Sequence, residues 1–211
     1  MTPPVFDAAF AEQLTQLIRW RRDVRHFDRR PLAPTDLQWL FETAALAPSV
    51  GHSQPWRFVR IRSVGLREAL AAHVDTASTA AAASIADADR RARYAGLKLH
   101  GLREAPEIVA VFCDDDPVAG HGLGRATMAE TLRYSTVMAI HTLWLVARSR
   151  GIGVGWVSIL DPDTVTAMLT TPSGWSLVAL LCIGYPTAPA AEPELEHRQW
   201  QAREAPRIVE R

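Results

Sequence analysis

The sequence predicts an α+β domain, a sheet covered by helices, and three observations lead to that class. Two nearly uninterrupted apolar runs of strand length, 108–113 and 175–185, read as strands. The stretch 131–150 carries apolar residues on almost every side, the pattern of a central helix buried all round, whether by its own chain alone or in part by a second subunit. Strands and long helices mix along the chain without a strict βαβ rhythm. At 211 residues with 48% hydrophobic content, the chain is long enough for one well-buried core. Residues 1–211 are therefore expected to form a single domain, with 186–211 as a C-terminal extension rich in Pro and Glu.

Taken in order, Phe6, Phe10, Leu14, Leu17 and Ile18 fall at helical spacing and predict a first helix over 6–20. Pro31 and Pro34 interrupt the chain. Thr35 then opens a second helix whose inner side carries Leu37, Leu40, Phe41, Ala44 and Ala45, and Pro48 ends it. Residues 49–56 read as a loop, 56–61 as an alternating strand and 64–74 as a short helix. The Ala- and Arg-rich stretch 77–102 predicts one long, partly exposed helix or a pair around Gly96. After the strand at 108–113, Gly120, Gly122 and Gly124 mark a loop over 117–127 that lacks the spacing of a dinucleotide fingerprint. Gly151 supplies the C-cap of the 131–150 helix, and a strand follows over 153–160. There Gly153 and Gly155 suit close packing better than phosphate binding. Asp161 and Pro162 start a short helix ending at Leu169, ahead of the last strand.

Composition excludes several function classes. Lys plus Arg and Asp plus Glu both number 23, so no net field draws the protein to nucleic acid or an anionic membrane. No apolar run is long enough to span a bilayer, and Asp7 and Glu12 interrupt the N-terminal stretch where a signal peptide needs an apolar core. Cys113 and Cys182 sit inside strand-like runs as buried thiols rather than a disulfide, which suits a reducing cytoplasm. No metal site is expected. Asp114, Asp115 and Asp116 point in different directions along an extended chain, and His100 with Glu104 lacks a third ligand. His141, on the buried helix, reads as a core histidine.

Two stretches carry candidate chemistry. Arg21, Arg22, Asp23, Val24 and Arg25 place three guanidinium groups around one carboxylate at the end of the first helix. Paired arginines suit a phosphate, and Asp23 is either their salt-bridge partner or a catalytic carboxylate. Taken alone, such a cluster is more often a solvated ion-pair group. The loop Ser49, Val50, Gly51, His52, Ser53, Gln54, Pro55 and Trp56 delivers hydroxyls, an amide and an indole, suited either to a flat heterocycle or to a turn with its own internal bonds.

These stretches, together with Pro48, with Gly151, Ile152 and Gly153 ahead of Gly155 and Trp156, and with Cys182, Ile183, Gly184 and Tyr185, resemble the FMN-dependent nitroreductase superfamily in order and spacing. The likeness runs from about residue 17 to about residue 200. Arg-Arg-Asp-Val-Arg in place of the commoner Arg-Arg-Ser, the segment Leu97, Lys98, Leu99 with Arg103 to Pro106, and Gly155 through Ile159 are similar to the branch that makes 5,6-dimethylbenzimidazole, the lower ligand of cobalamin. The resemblance implies a nitroreductase-like fold with a mainly antiparallel central sheet. It also implies a homodimer, with the long helix at the interface and FMN in the cleft between subunits. It implies FMN contacts from Arg21, Arg22, Asp23, Val24, Arg25, Ser49, Ser53, Gln54, Leu99 and Ser158. In that branch reduced FMN is the substrate. With dioxygen it is fragmented so that ribityl C1′ becomes C2 of the benzimidazole and erythrose 4-phosphate leaves. Asp23 would handle protons in that cleavage and Ser158 would hydrogen-bond near the reactive face. A separate NAD(P)H-dependent flavin reductase is a candidate partner for supplying reduced FMN. The alternatives are an NAD(P)H-dependent FMN nitroreductase or cob(II)yrinic acid a,c-diamide reductase, needing neither Asp23 nor Ser158, and a flavin-storage module without turnover. The chain departs from the branch at His52, where a bulkier apolar residue is usual, and in the Ala-rich run 77–88, where a lid over the cofactor is expected.

Overall fold

The computed structural model describes residues 3–211. Strands β1 (Trp56–Arg60), β2 (Glu107–Asp114), β3 (Gly153–Val157) and β4 (Trp175–Gly184) form one sheet in the order β1-β2-β4-β3, and every neighbouring pair is antiparallel. The central strands β2 and β4 read as continuous apolar runs because each face of the sheet has its own core. Ile108, Ala110, Phe112, Leu180 and Cys182 pack with Leu70, Val74, Leu102 and Val165. Val109, Val111, Leu181 and Ile183 pack with Leu40, Ala44, Ile140 and Leu143. Helices α2 (Pro34–Ala44) and α5 (Thr131–Ser149) cover the second face, and α3 (Val64–Ala83) and α6 (Pro162–Leu169) cover the first. Both cysteines are buried and unpaired. Among the described residues no helix is long and apolar enough to cross a membrane.

The second predicted helix and the strands at 56–61, 108–113 and 175–185 form within a few residues of their expected bounds. Four other expectations are corrected. The helix predicted over 64–74 runs on to Ala83, because the alanines of 77–83 have the highest helix propensity and nothing stops them before Ser84. The stretch 77–102 is accordingly no single helix and no pair centred on Gly96. Asp87 accepts a hydrogen bond from the Arg90 N–H and opens a new helix, α4 (Ala88–Ala95), which Gly96 caps, and 97–106 is irregular. β3 ends at Val157 instead of residue 160, as the chain turns toward α3 and the Asp161 N–H donates to His73 Nε2 at 3.0 Å. Finally, α5 is not buried all round in the single chain. Tyr134, Val137, Met138 and His141, at i, i+3, i+4 and i+7, form an exposed stripe, so His141 is a surface residue and not a core one.

The first helix, α1 (Ala8–Trp20), starts at an Asp7 N-cap and rests against α5, yet it buries none of its residues. Its role in the single chain is to deliver residues 21–25 to the open edge of β3. Val24 N–H donates to Val154 O at 3.0 Å, and Asp23 forms a parallel bridge with Val154. Gly153 and Gly155 permit that approach. A Cβ on Gly153 would press into the Val24 side chain at 2.7 Å, and one on Gly155 would overlap the Val24 carbonyl oxygen. Gly151 turns the chain out of α5 at φ +70°, as its predicted capping role requires.

Gly155→Ala is expected to push residues 21–25 off the sheet and to destabilise the fold by about 2–3 kcal/mol, a backbone clash lying at the upper end of single-substitution effects. Urea unfolding measures this, and a loss under about 0.5 kcal/mol would mean the 21–25 segment docks more loosely than the contacts indicate.

Candidate functional site

Where the chain leaves α1 it turns extended at Arg21, so that successive side chains of 21–25 point to different sides. Asp23 points back at the sheet. Its Oδ1 accepts the Trp156 N–H at 2.8 Å, and its Oδ2 accepts Arg25 Nε at 3.0 Å and lies 2.9 Å from Arg25 Nη2. Burial pushes the Asp23 carboxyl above its ordinary range, while the Trp156 N–H and the Arg25 guanidinium pull the other way without offsetting it. Arg25 is nearly buried, donates through Nη1 to Lys98 O at 3.3 Å, and stands 4.0 Å from Glu194 Oε2.

The neighbouring arginines are held differently. Arg22 Nη1 donates to Arg19 O at 2.6 Å and to Arg21 O at 2.7 Å, and Nη2 donates to Ala191 O. Its Nε is buried with no partner. Arg21 lies over the Trp144 ring, 4.8 Å from the centroid, and the Trp144 indole in turn donates to Arg22 O at 2.9 Å. Among the described residues neither Arg21 nor Arg22 has a carboxylate within ion-pairing distance. Burial, with the Arg21 and Arg203 cations nearby, lowers the proton affinity of Arg22. The cluster is thus no self-neutralised surface group. It frames a cavity of about 190 Å³ lined by Arg21, Arg22, Arg25 and Arg203, with Asp23 and Glu194 beside them.

A second cavity, about 200 Å³, shares Arg25 with the first and is otherwise largely apolar, walled by Leu99, Trp156, Tyr94 and Trp200 with Ser158 in its lining. The structure therefore brings Arg21, Arg22, Asp23, Arg25, Leu99 and Ser158 to one region, an anion-attracting hollow and a largely apolar one that share Arg25 and Leu195. Val24 takes part through its backbone, which anchors the segment on β3.

Ser49, Ser53 and Gln54 are not part of that region within one chain. Their loop is seated on the N-terminal end of α5, where the Val50 N–H donates to Ser135 Oγ at 3.0 Å. The arginine segment meets α5 at Trp144, nine positions further on, or about 13 Å along the helix at its normal rise. The loop is nevertheless tightly built. Ser49 Oγ accepts the Gln54 N–H at 3.0 Å, Gln54 Nε2 lies 3.2 Å from His52 Nε2, and His52 and Gln54 both hold positive φ, at 56° and 47°. Backbone held there without glycine is strained, and such strain gathers at functional loops. Ser53 Oγ is buried with no partner. The acids Asp114, Asp115 and Asp116 are engaged by Arg57, Ser176 and Arg125 respectively.

Sequence reasoning missed the contribution of the tail. Glu194, Leu195, Trp200 and Arg203 all line the two cavities, although 186–211 read only as a Pro- and Glu-rich extension. The one available signal was Trp200, a large aromatic residue in an otherwise polar stretch.

A helix-covered antiparallel sheet whose edge presents a part-buried carboxylate paired to Arg25, beside two arginines without carboxylate partners and a largely apolar slot, has the chemistry to suit a flat, anionic ligand. The profile of the nitroreductase family matches residues 18–185, and the chain belongs to that family. It is 54% identical over 210 residues to 5,6-dimethylbenzimidazole synthase of Rhodospirillum rubrum, spanning 100% of this chain and 99% of that protein. It is 46% identical over 196 residues to the enzyme of the same name from Rhodobacter capsulatus, spanning 93% and 94%. Among solved structures, oxidized iodotyrosine deiodinase bound to FMN and 3-iodo-L-tyrosine superposes with a TM-score of 0.73 at 21% identity, over 94% of this chain and 97% of that one, so the fold is shared.

Because burial raises the Asp23 carboxyl, the folded chain binds that proton more tightly than the unfolded chain does. The resulting stabilisation is present below the ordinary value of 3.8 and is lost as pH rises through the raised one. Thermal melts of wild type and Asp23→Asn between about pH 3.5 and 7 should show the variant gaining on the wild type as pH rises. The opposite trend would mean that Arg25 and the Trp156 N–H outweigh burial.

Proposed function

We propose that the chain is a 5,6-dimethylbenzimidazole synthase, converting reduced FMN and dioxygen to 5,6-dimethylbenzimidazole and erythrose 4-phosphate. The full-length 54% identity to the synthase of Rhodospirillum rubrum supports the reaction. The observation in the structure that carries the reading is Asp23. A family member that only shuttles hydride has no need of a carboxylate fixed beside the cleft, and here one is part-buried, held by two partners and raised in proton affinity by desolvation.

The residues fit FMN. Arg21 and Arg22, unpaired with any carboxylate, and the partnerless Arg22 Nε supply donors suited to the phosphate. Leu99 and Trp156 supply apolar walls for a flat ring and exclude water from it. Reduced FMN would supply both the electrons taken by dioxygen and the carbon skeleton of the product. The chain's own part is acid–base and positional. Asp23 accepts or returns a proton at Oδ2, the oxygen shared with Arg25, while its Oδ1 stays tied to Trp156 N–H so that the carboxylate cannot rotate away. Ser158, just past the end of β3, lies in the lining of the adjoining cavity.

A second copy of the chain completes the site. Phe10, Leu14 and Ile18 of α1 are exposed at helical spacing, with Phe6 exposed just ahead of the helix, as is the α5 stripe, and α1 rests on α5, so the two form one apolar face. A homodimer built on that face would bury it and would bring a partner's strained 49–54 loop within reach of the ligand. The two buried, unpaired thiols suit the cytoplasm.

Mixing the protein with chemically reduced FMN in air should yield 5,6-dimethylbenzimidazole by chromatography and mass spectrometry. Asp23→Asn should lower the rate by roughly 10²–10⁴, the usual worth of a positioned acid or base. Return of oxidised FMN alone would move the protein to the reductase reading. Arg21→Ala and Arg22→Ala should each weaken FMN binding by roughly tenfold to a hundredfold while leaving riboflavin binding unchanged, since only FMN carries the phosphate. An equal loss for both ligands in flavin-fluorescence titrations would mean these arginines do not meet the phosphate.

A further inference from the structure

The short helix α4 has little of its own to hold it in place. Its eight residues are too few for a stable isolated helix, and none of them is buried. It nevertheless lies over the cavity that contains Ser158, to which it contributes Tyr94. Its aromatic and cation–π contacts converge on one indole from the far end of the chain. Trp200 meets the Tyr94 ring edge-on at a centroid distance of 5.9 Å, and the Arg90 guanidinium lies over the Trp200 ring at 5.1 Å.

The tail is shaped to deliver that indole. Helix α7 (Glu194–His197) is followed by Gln199 at φ +55°, a left-handed conformation costly for a residue with a side chain. The turn folds the chain back so that the Trp200 N–H donates to Leu195 O at 2.8 Å. Upstream, the tail is tied to the site by the Arg22 hydrogen bond to Ala191 O and by Glu194, which stands 4.0 Å from Arg25. Trp200 and Tyr94 also line a second, larger chamber of about 530 Å³ beneath the α3–α4 turn, near Ser84, Ile85 and Asp87. The aromatic pair thus stands in the lining of both the inner cavity and this outer chamber.

We propose that Trp200 is a positioning residue. It latches α4 over the Ser158 cavity, and its release from Tyr94 joins that cavity to the outer chamber, giving a flat aromatic ligand its way in and out. The inference rests on the reading of the Ser158 cavity as the flavin site.

The test uses the full chain with Trp200→Ala and Trp200→Phe. In the flavin-free protein, hydrogen exchange of α4 amides should quicken by roughly tenfold in Trp200→Ala, the combined worth of an aromatic pair and a cation–π contact, with β2 and β4 unchanged. Dissociation of oxidised FMN, followed by flavin fluorescence, should quicken by a similar factor, and Trp200→Phe should restore most of both. A purely structural tryptophan would speed exchange in the sheet as well and leave FMN release alone. Unchanged α4 exchange, or faster α4 exchange with unchanged FMN release, overturns the latch. Whether the wild type forms 5,6-dimethylbenzimidazole decides the synthase reading separately, since neither latch readout involves turnover.

Discussion

The docking of residues 23–24 on the open edge of β3 is the constraint on which the rest of the site depends. One backbone hydrogen bond, Val24 N–H to Val154 O, and one side-chain bond, Trp156 N–H to Asp23, join an irregular segment to the sheet. Both need the strand to lack side chains where the segment crosses it, and Gly153 and Gly155 meet that need. The same contact orients the arginines. With Asp23 facing the sheet and paired to Arg25, the Arg21 and Arg22 guanidinium groups are left without carboxylate partners, and their charge is free to act on a ligand.

That arrangement separates two tasks that the sequence places in five consecutive residues. Asp23 and Arg25 form a closed, part-buried pair in which a carboxylate is held still in a region of reduced solvation. Arg21 and Arg22, with Arg203 from the tail, form the anion-attracting wall of the adjoining cavity. A cluster that would contribute little as a solvated surface group becomes specific because the sheet removes one acid from it and the tail covers what remains.

The sheet itself explains the uneven burial of the helices. With separate cores on its two faces, β2 and β4 are enclosed by the chain's own helices, and α2, α3, α5 and α6 are committed to that covering. Helix α1 has no place against the sheet. It lies on α5, and their combined apolar face stays open in the single chain, which is why a helix patterned for complete burial shows an exposed stripe.

By itself the sequence determined the fold class, the apolar strands, the second and fifth helices and the Arg-Arg-Asp-Val-Arg motif, because each of these is written in local periodicity or in the chemistry of adjacent residues. It was weakest where local propensity met no clear stop, as in the alanines of 77–83, and in the tail, whose polar composition concealed Trp200 and Arg203. Only the tertiary structure decided that Asp23 bonds to a backbone 133 positions away, that Leu99 and Ser158 share a cavity with Arg25, and that Ser49 and Gln54 lie at the other end of α5. The physical reason is that periodicity reports which side of an element is buried and says nothing of what it is buried against. Partnership depends on strand order, register and the absence of a Cβ at Gly155, which bring distant residues together only once the whole chain has folded.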